Sequence, residues 1–345
     1  MNEPRRPRAG PLPGSGPESS SLSPDFSGSN AVGGSPRKGL LSPADKTAIA
    51  YFFIISILVA ISRERIGSWL QFIAAHALVV AMVVLIARWA GRAHAGSASV
   101  PVKARRLAWL AHGWYPVALL PLSYKELTYL IPRIHARDFD GALAAIDYRV
   151  FGAHPTVWLE RFTWPPLTEL LQVCYPTYYV LPIILGAVIW RSGDRERYRF
   201  WVFVVTFGFY VSYLGYIAVP AIGPRFLAEI VGAQTKPLTG VFLFQVVREA
   251  LDRAEGLTRD CFPSGHTEMT LLTLYYARRF HHKTFWLFLP LGTAIIVSTV
   301  YLRYHYVIDV AAGVVLAFLI VVVADRAFRA LTGSRASGLA TVVQR

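Results

Sequence analysis

Beyond residue 46 the chain alternates long apolar runs with short polar breaks. The runs cover 47–62, 66–88, 107–123, 166–190, 200–221, 264–280, 284–303 and 306–324. A helix rises 1.5 Å per residue and must cross about 30 Å of hydrocarbon. The shorter runs reach that span with flanking Trp and Tyr at the interfaces. The pattern predicts an all-α integral membrane protein of about eight transmembrane helices. Two further segments, "DFDGALAAIDYRVFG" and "GVFLFQVVREALDRAEG", carry apolar residues at helical intervals. Phe139, Leu143, Ile146 and Val150 form one stripe; Phe242, Val246 and Leu251 form the other. Both segments are expected to lie along the membrane surface and cap the bundle.

Composition agrees. Hydrophobic residues make up 54% of the chain and charged residues only 16%. Soluble domains carry nearer 25% charged residues, so a soluble multi-domain protein is excluded. The formal net charge of +14 is placed in short loops, where it orients the chain and meets anionic lipid; nucleic acid is not an expected partner. Arg88, Arg92, Lys103, Arg105 and Arg106 follow the second run; Arg191, Arg195, Arg197 and Arg199 follow the fourth. Arg278, Arg279 and Lys283 follow the sixth, and Arg326, Arg329, Arg335 and Arg345 follow the last. With eight spans all of these fall on one side. The connections 124–165 and 222–263 are near balance. The positive-inside rule then puts both termini in the cytosol, in a multi-pass plasma (inner) membrane protein.

Residues 1–44 are rich in Pro, Gly and Ser and read as a disordered cytosolic tail with no secretory h-region. A hairpin, 45–106, precedes a six-helix core, 107–326, and a cytosolic tail, 327–345. The two cysteines, Cys174 and Cys261, make no disulfide framework.

Three polar patches share the extracytoplasmic side. "PAIGPRF" carries Arg225, a fixed guanidinium fork that suits phosphate. "PSGH" opens the sixth run with Ser264, Gly265 and His266, where a helix N-terminus binds anions and a histidine can supply a proton. "YLRYHYVID" carries Arg303, His305 and Asp309. His305 and Asp309 are four apart, so on a helix they share a face, and the carboxylate would orient the imidazole for attack. Lys125 and Glu126, near the outer end of the third run, are candidates to meet a head group. His76 and His112 are expected to pack, and His281 and His282 lie on the cytosolic side. No cluster has metal-ligand spacing, so neither metal nor other cofactor is expected.

On these motifs the sequence resembles the type 2 phosphatidic acid phosphatase superfamily. "PSGH" matches that family's second motif, and "STVYLRYHYVIDVAAG" is similar to its third. The resemblance spans about 107–324 and implies a six-helix catalytic core. It also implies His305 as the nucleophile of a phosphohistidine, Asp309 as its partner and His266 as the acid. Ser264 and Gly265 would bind phosphate. The third motif's usual Arg is Thr299 here, and an Arg stands instead at Arg303. The first motif is replaced by "GPR" at 223–225. These departures, with "YKELTYLIP" and "DFDGALAAIDYRVFGAHP", resemble the inositol phosphorylceramide synthase-like branch. The expected activity is that of a lipid phosphatase or phosphotransferase with a lipid phosphate or phospholipid substrate. Water or a polyol such as inositol would be the acceptor. A non-catalytic transporter or scaffold is the alternative of another class, and the span middles carry almost no ionisable residues to support it.

Overall fold

The computed structural model describes residues 40–95, 101–256 and 258–333, so most of both expected tails lies outside the described residues. The described residues form helices and turns, with no strand. Helix α1 (Pro43–Ile61) begins with a capping box: the Ser42 hydroxyl accepts the Asp45 N–H, and the Asp45 carboxylate accepts the Ser42 N–H. It packs against α2 (Trp69–Ala95), which packs against α3 (Val102–Ile134). Helices α4 (Asp140–Phe151) and α5 (Pro155–Trp158) follow. Then α6 (Pro165–Cys174) passes through a 3₁₀ turn, Tyr175–Tyr179, into α7 (Leu181–Arg191) with a bend of 50°. The rest of the chain is α8 (Arg195–Ala218), α9 (Ala228–Ala233), α10 (Phe244–Glu255), α11 (Gly265–Phe280), α12 (His282–Tyr301) and α13 (Val307–Thr332). The last helix runs on through 327–332, a stretch expected to belong to the tail.

Among the described residues, five helices are long and apolar enough to cross a membrane: α1, α2, α8, α12 and α13. The bent α6–α7 pair makes six if it is one span. The expected eight would also need α3 and α11. Helix α3 has the length, at 33 residues, but carries His112, Lys125, Glu126 and three internal prolines. Helix α11 has only 16 residues and opens on His266 and Glu268. Both lie where polar side chains turn inward. Helix α11 is packed by α7, α8, α12 and α13, and its residues 265–270 are all buried.

The interior is more ionisable than the sequence suggested. The fully buried Glu268 accepts a hydrogen bond from the Ser212 hydroxyl at 2.8 Å. Asp45 on α1 is bonded by His112 Nε2 at 2.8 Å and by the Tyr115 hydroxyl at 2.9 Å, both from α3. His76 on α2 lies 2.6 Å from Glu126 on α3 and 2.8 Å from the Ser56 hydroxyl on α1. The histidines expected merely to pack each have a carboxylate partner, as buried polar groups require.

The two surface helices form, but with other faces inward than their apolar stripes suggested. Helix α4 buries Asp140, Leu143, Ala144 and Asp147, while Phe139, Ile146 and Val150 are exposed. Helix α10 buries Phe244 and Leu251 and leaves Val246 outward, with Phe242 just before it 85% exposed. In a membrane protein an apolar stripe has lipid as an alternative to the core, so periodicity marks a face without saying which way it points.

Candidate active site

The site gathers where α11 and α13 begin, beside the turn that ends α12. That turn is tight: the Thr299 carbonyl accepts the N–H groups of both Tyr304 and His305, at 3.0 and 2.9 Å. Arg303 sits between with φ +66°, a left-handed backbone that non-glycine residues seldom adopt. Its guanidinium is taken up by groups outside the histidine pair. It donates to Glu160 Oε1 at 2.9 Å, Gln234 Oε1 at 2.7 Å and the Lys236 carbonyl at 2.7 Å. Glu160 in turn accepts the N–H and hydroxyl of Thr235. Arg303 therefore latches the 234–236 segment.

His305 precedes α13 instead of lying on it. Tyr306 is the N-cap and Asp309 the third helical residue, so the pair does not share a helix face. Asp309 uses Oδ2 to accept the Tyr306 N–H at 2.8 Å and the Cys261 thiol at 2.8 Å. The same oxygen is 3.5 Å from His305 Nδ1. That nitrogen has a better partner in the Cys261 carbonyl, at 2.9 Å. Because a carbonyl can only accept, Nδ1 carries the proton and Nε2 the lone pair.

His266 opens α11. Its ring stands edge-on to that of His305, with centroids 5.6 Å apart. Tyr175 stacks on it at 4.2 Å, and Tyr178 lies at 3.8 Å. The Nε2 of His266 is buried with no partner among the described residues. Ser264 is the N-cap, its hydroxyl accepting the Thr267 N–H at 3.3 Å. The amides of Gly265 and His266 have no hydrogen-bond partner among the described residues, which leaves the free donors that suit an anion at a helix start. A Cβ at Gly265 would collide with the Tyr216 hydroxyl. Close helix packing thus also demands glycine there.

Arg225 lies in the same place. It lines a small cavity of about 20 Å³ with Tyr175, Cys261, Tyr304 and His305. Its guanidinium stacks over Tyr304 at 4.6 Å and donates to Asp252 at 2.7 Å. The preceding Gly223 has φ +109°, and a Cβ there would lie 2.6 Å from the Tyr304 carbonyl oxygen. Only glycine lets this turn press against the His305 turn. Lys125 stands apart: its ammonium donates to the Ala254 carbonyl at the end of α10. It lines an apolar cavity of about 380 Å³ among α3, α7 and α8, whose lining also includes Tyr178 and Tyr179. Glu126 is held by His76, away from the other site residues.

The structure thus brings together His266, His305, Asp309, Ser264, Gly265 and Arg225, and leaves Arg303 and Lys125 outside. It adds four residues that the sequence did not single out. Cys261 holds both catalytic-motif side chains. Tyr175 stacks on His266 and on Tyr304. Asp140 accepts the N–H groups of Ile222 and Gly223 and the Tyr306 hydroxyl. Asp147 accepts those of Val307 and Ile308. The available signal was that both acids sit on the stripe of Leu143 and Ala144, at i, i+3, i+4 and i+7.

The family model of the PAP2 superfamily matches residues 142–323, more than half of the chain. The chain belongs to the PAP2 superfamily. That stretch runs from within α4 to within α13 and includes all six residues brought together at the site. Membership fits a phosphatase-type activity on a lipid phosphate in a multi-pass membrane protein. Comparison with the curated proteins and with the solved structures returns no match.

Proposed function

We propose that this PAP2 superfamily member is a membrane lipid phosphatase or phosphotransferase working through a phosphohistidine on His305. The observation that carries the reading is the pairing of His305, its Nδ1 held by the Cys261 carbonyl at 2.9 Å, with His266 across 5.6 Å between ring centres. Nε2 of His305 attacks phosphorus. Arg225 and the amides of Gly265 and His266 hold the non-bridging oxygens. The P–O bond to the leaving group breaks, and His266 gives that oxygen a proton. Asp309, 3.5 Å from Nδ1, stabilises the imidazolium that forms. In the second half an acceptor hydroxyl attacks the phosphohistidine and gives its proton to His266. With a lipid phosphate as donor, phosphate leaves when the acceptor is water and a polyol phosphate leaves when it is a polyol, and His305 is restored.

The substrate reading is a lipid phosphate or phospholipid whose chain uses the apolar cavity beside Tyr178. Lys125 at its rim suits an anionic head group only if it leaves the Ala254 carbonyl. The acceptor is water in a phosphatase and inositol or another polyol in a phosphotransferase. The Thr299 position, the "GPR" turn and the α4 segment favour the inositol phosphorylceramide synthase-like branch. The basic loops support an extracytoplasmic site in a plasma membrane protein. The test is purified protein with a ³²P-labelled lipid phosphate, with and without polyols. Acid-labile label on the protein that disappears in His305→Ala supports the reading. Turnover by His305→Ala sinks it. Label appearing in a polyol phosphate, in place of free phosphate, selects the transferase.

A further inference from the structure

Three side chains around the nucleophile have a second chemistry. Cys261 Sγ, His305 Nδ1 and Asp309 Oδ2 face one another with separations of 3.6 Å (sulfur to nitrogen), 3.5 Å (nitrogen to oxygen) and 2.8 Å (sulfur to oxygen). All three residues are buried. They come from two segments 44 residues apart, so no spacing along the chain announces them. A tetrahedral zinc ion, with bonds of about 2.3 Å to sulfur, 2.05 Å to nitrogen and 2.1 Å to oxygen, separates such ligands by about 3.4–3.6 Å. Two of the three edges already meet that requirement. The third, now a thiol–carboxylate hydrogen bond, must open by roughly 0.8 Å.

We infer that Cys261, His305 and Asp309 form an inhibitory site for a thiophilic divalent cation of the zinc type. The mode of inhibition rests on the phosphohistidine reading above. A thiolate, an imidazole and a carboxylate are the donor set that zinc prefers over magnesium or calcium. The cavity of about 20 Å³ that Cys261 and His305 line is large enough for one water, which supplies the fourth ligand. Arg225 on that cavity opposes a cation; Asp260, also on it, favours one.

The proton inventory explains the inhibition. The Cys261 thiol loses its proton to solvent as sulfur binds the cation, and its hydrogen bond to Asp309 is replaced by two metal bonds. His305 now carries its single ring proton on Nδ1, facing the Cys261 carbonyl. When Nδ1 binds the cation, its hydrogen bond to the Cys261 carbonyl breaks, that carbonyl swings aside, and the ring proton must reside on Nε2. The lone pair that would attack phosphorus is then gone. Nothing is oxidised or reduced, and one proton leaves per cation bound.

Cobalt(II) is the direct probe, added to full-length protein purified in detergent with a tag free of histidine. A thiolate-to-cobalt charge-transfer band should grow to one equivalent and be discharged by Zn²⁺. The chain has two cysteines, so the band should persist in Cys174→Ala and vanish in Cys261→Ala. In parallel, Zn²⁺ should inhibit lipid phosphate hydrolysis reversibly, and a chelator should restore it. Cys261→Ser keeps a donor to Asp309 and so guards against misfolding. It should need about 10- to 100-fold more Zn²⁺ for half inhibition. Absence of the band, its survival in Cys261→Ala, or unchanged inhibition in Cys261→Ser overturns the proposal. Turnover by His305→Ala would instead sink the phosphohistidine reading, and the cobalt spectrum would still decide the site.

Discussion

The carboxylate of Asp147 accepts the backbone N–H of Val307 at 2.7 Å, and its other oxygen takes that of Ile308 at 2.9 Å. These are the first two amides of α13, so one side chain on a surface helix caps the helix that begins beside His305. The free donors of that helix start are consumed by Asp147 and by Asp309, which takes the Tyr306 N–H. Anion binding is left to the start of α11. Asp147→Ala should leave two partly buried amides unpaired, at up to about 1–3 kcal/mol each. It should lower both the melting temperature and the rate, and Asp147→Asn should keep part of each. Wild-type melting and kinetics in Asp147→Ala would remove the residue from the site's support.

The two histidines should fail differently. His305→Ala removes the nucleophile, so no phosphoenzyme forms with any substrate. His266→Ala removes proton donation, worth about 10²- to 10⁴-fold. Its defect should shrink with nitrophenyl phosphate, whose leaving group needs no proton. Equal loss of activity on both substrates in His266→Ala would count against the acid role.

The two arginines should separate by observable. Arg225→Lys keeps the charge but loses the fork that spans Asp252 and the cavity, so activity should fall with little change in melting. Arg303→Ala breaks a buried ion pair with Glu160 and should cost about 3–5 kcal/mol of stability. Rate measurements and thermal melts on both variants decide it. A stable Arg303→Ala with a raised KM would return Arg303 to the substrate.

Burial pushes the Cys261 thiol well above its ordinary pKa, and neighbouring Asp309 adds to the shift. A raised pKa means less thiolate at every pH below it, so alkylation should stay slow at pH 8 and appear only on unfolding. Mass spectrometry after maleimide treatment reads this directly. Rapid native modification of Cys261 would contradict its environment.

Sidedness is testable at two small positions. A Cβ at Gly232 meets open space, and Ser192 is exposed. Cysteines placed there should react with an impermeant maleimide from opposite faces of the membrane. Labelling of both from one face would end the extracytoplasmic placement of the site.

Much of this was legible in the chain. The apolar runs mark α1, α2, α8, α12 and α13, and the "PSGH" stretch falls at the start of α11. What was illegible has definite causes. The i, i+4 spacing of His305 and Asp309 assumed a helix that starts only at Val307. Arg303 carries the right charge in the right motif, but its left-handed backbone accompanies a guanidinium bound to Glu160. Asp140 and Asp147 were hidden because Ile146 and Val150 of α4 face outward, while the two acids share the buried face with Leu143 and Ala144. Cys261 gains meaning only when the fold brings it to a residue 44 positions away.

Helix α3 is too polar to be a convincing guest in lipid by itself, and three of its polar residues, His112, Tyr115 and Glu126, are answered by the two helices that precede it. Asp45 meets His112 and Tyr115; His76 meets Glu126. The first two helices thus supply buried partners that α3 would otherwise lack. A chain shortened to begin at residue 96 would keep every residue of the site and still leave Glu126 and His112 without these partners, and polar groups left unpaired away from water cost several kcal/mol each. The hairpin thus carries the polar partners of its neighbour, and a fragment that lacks it is expected to be less stable than the whole chain.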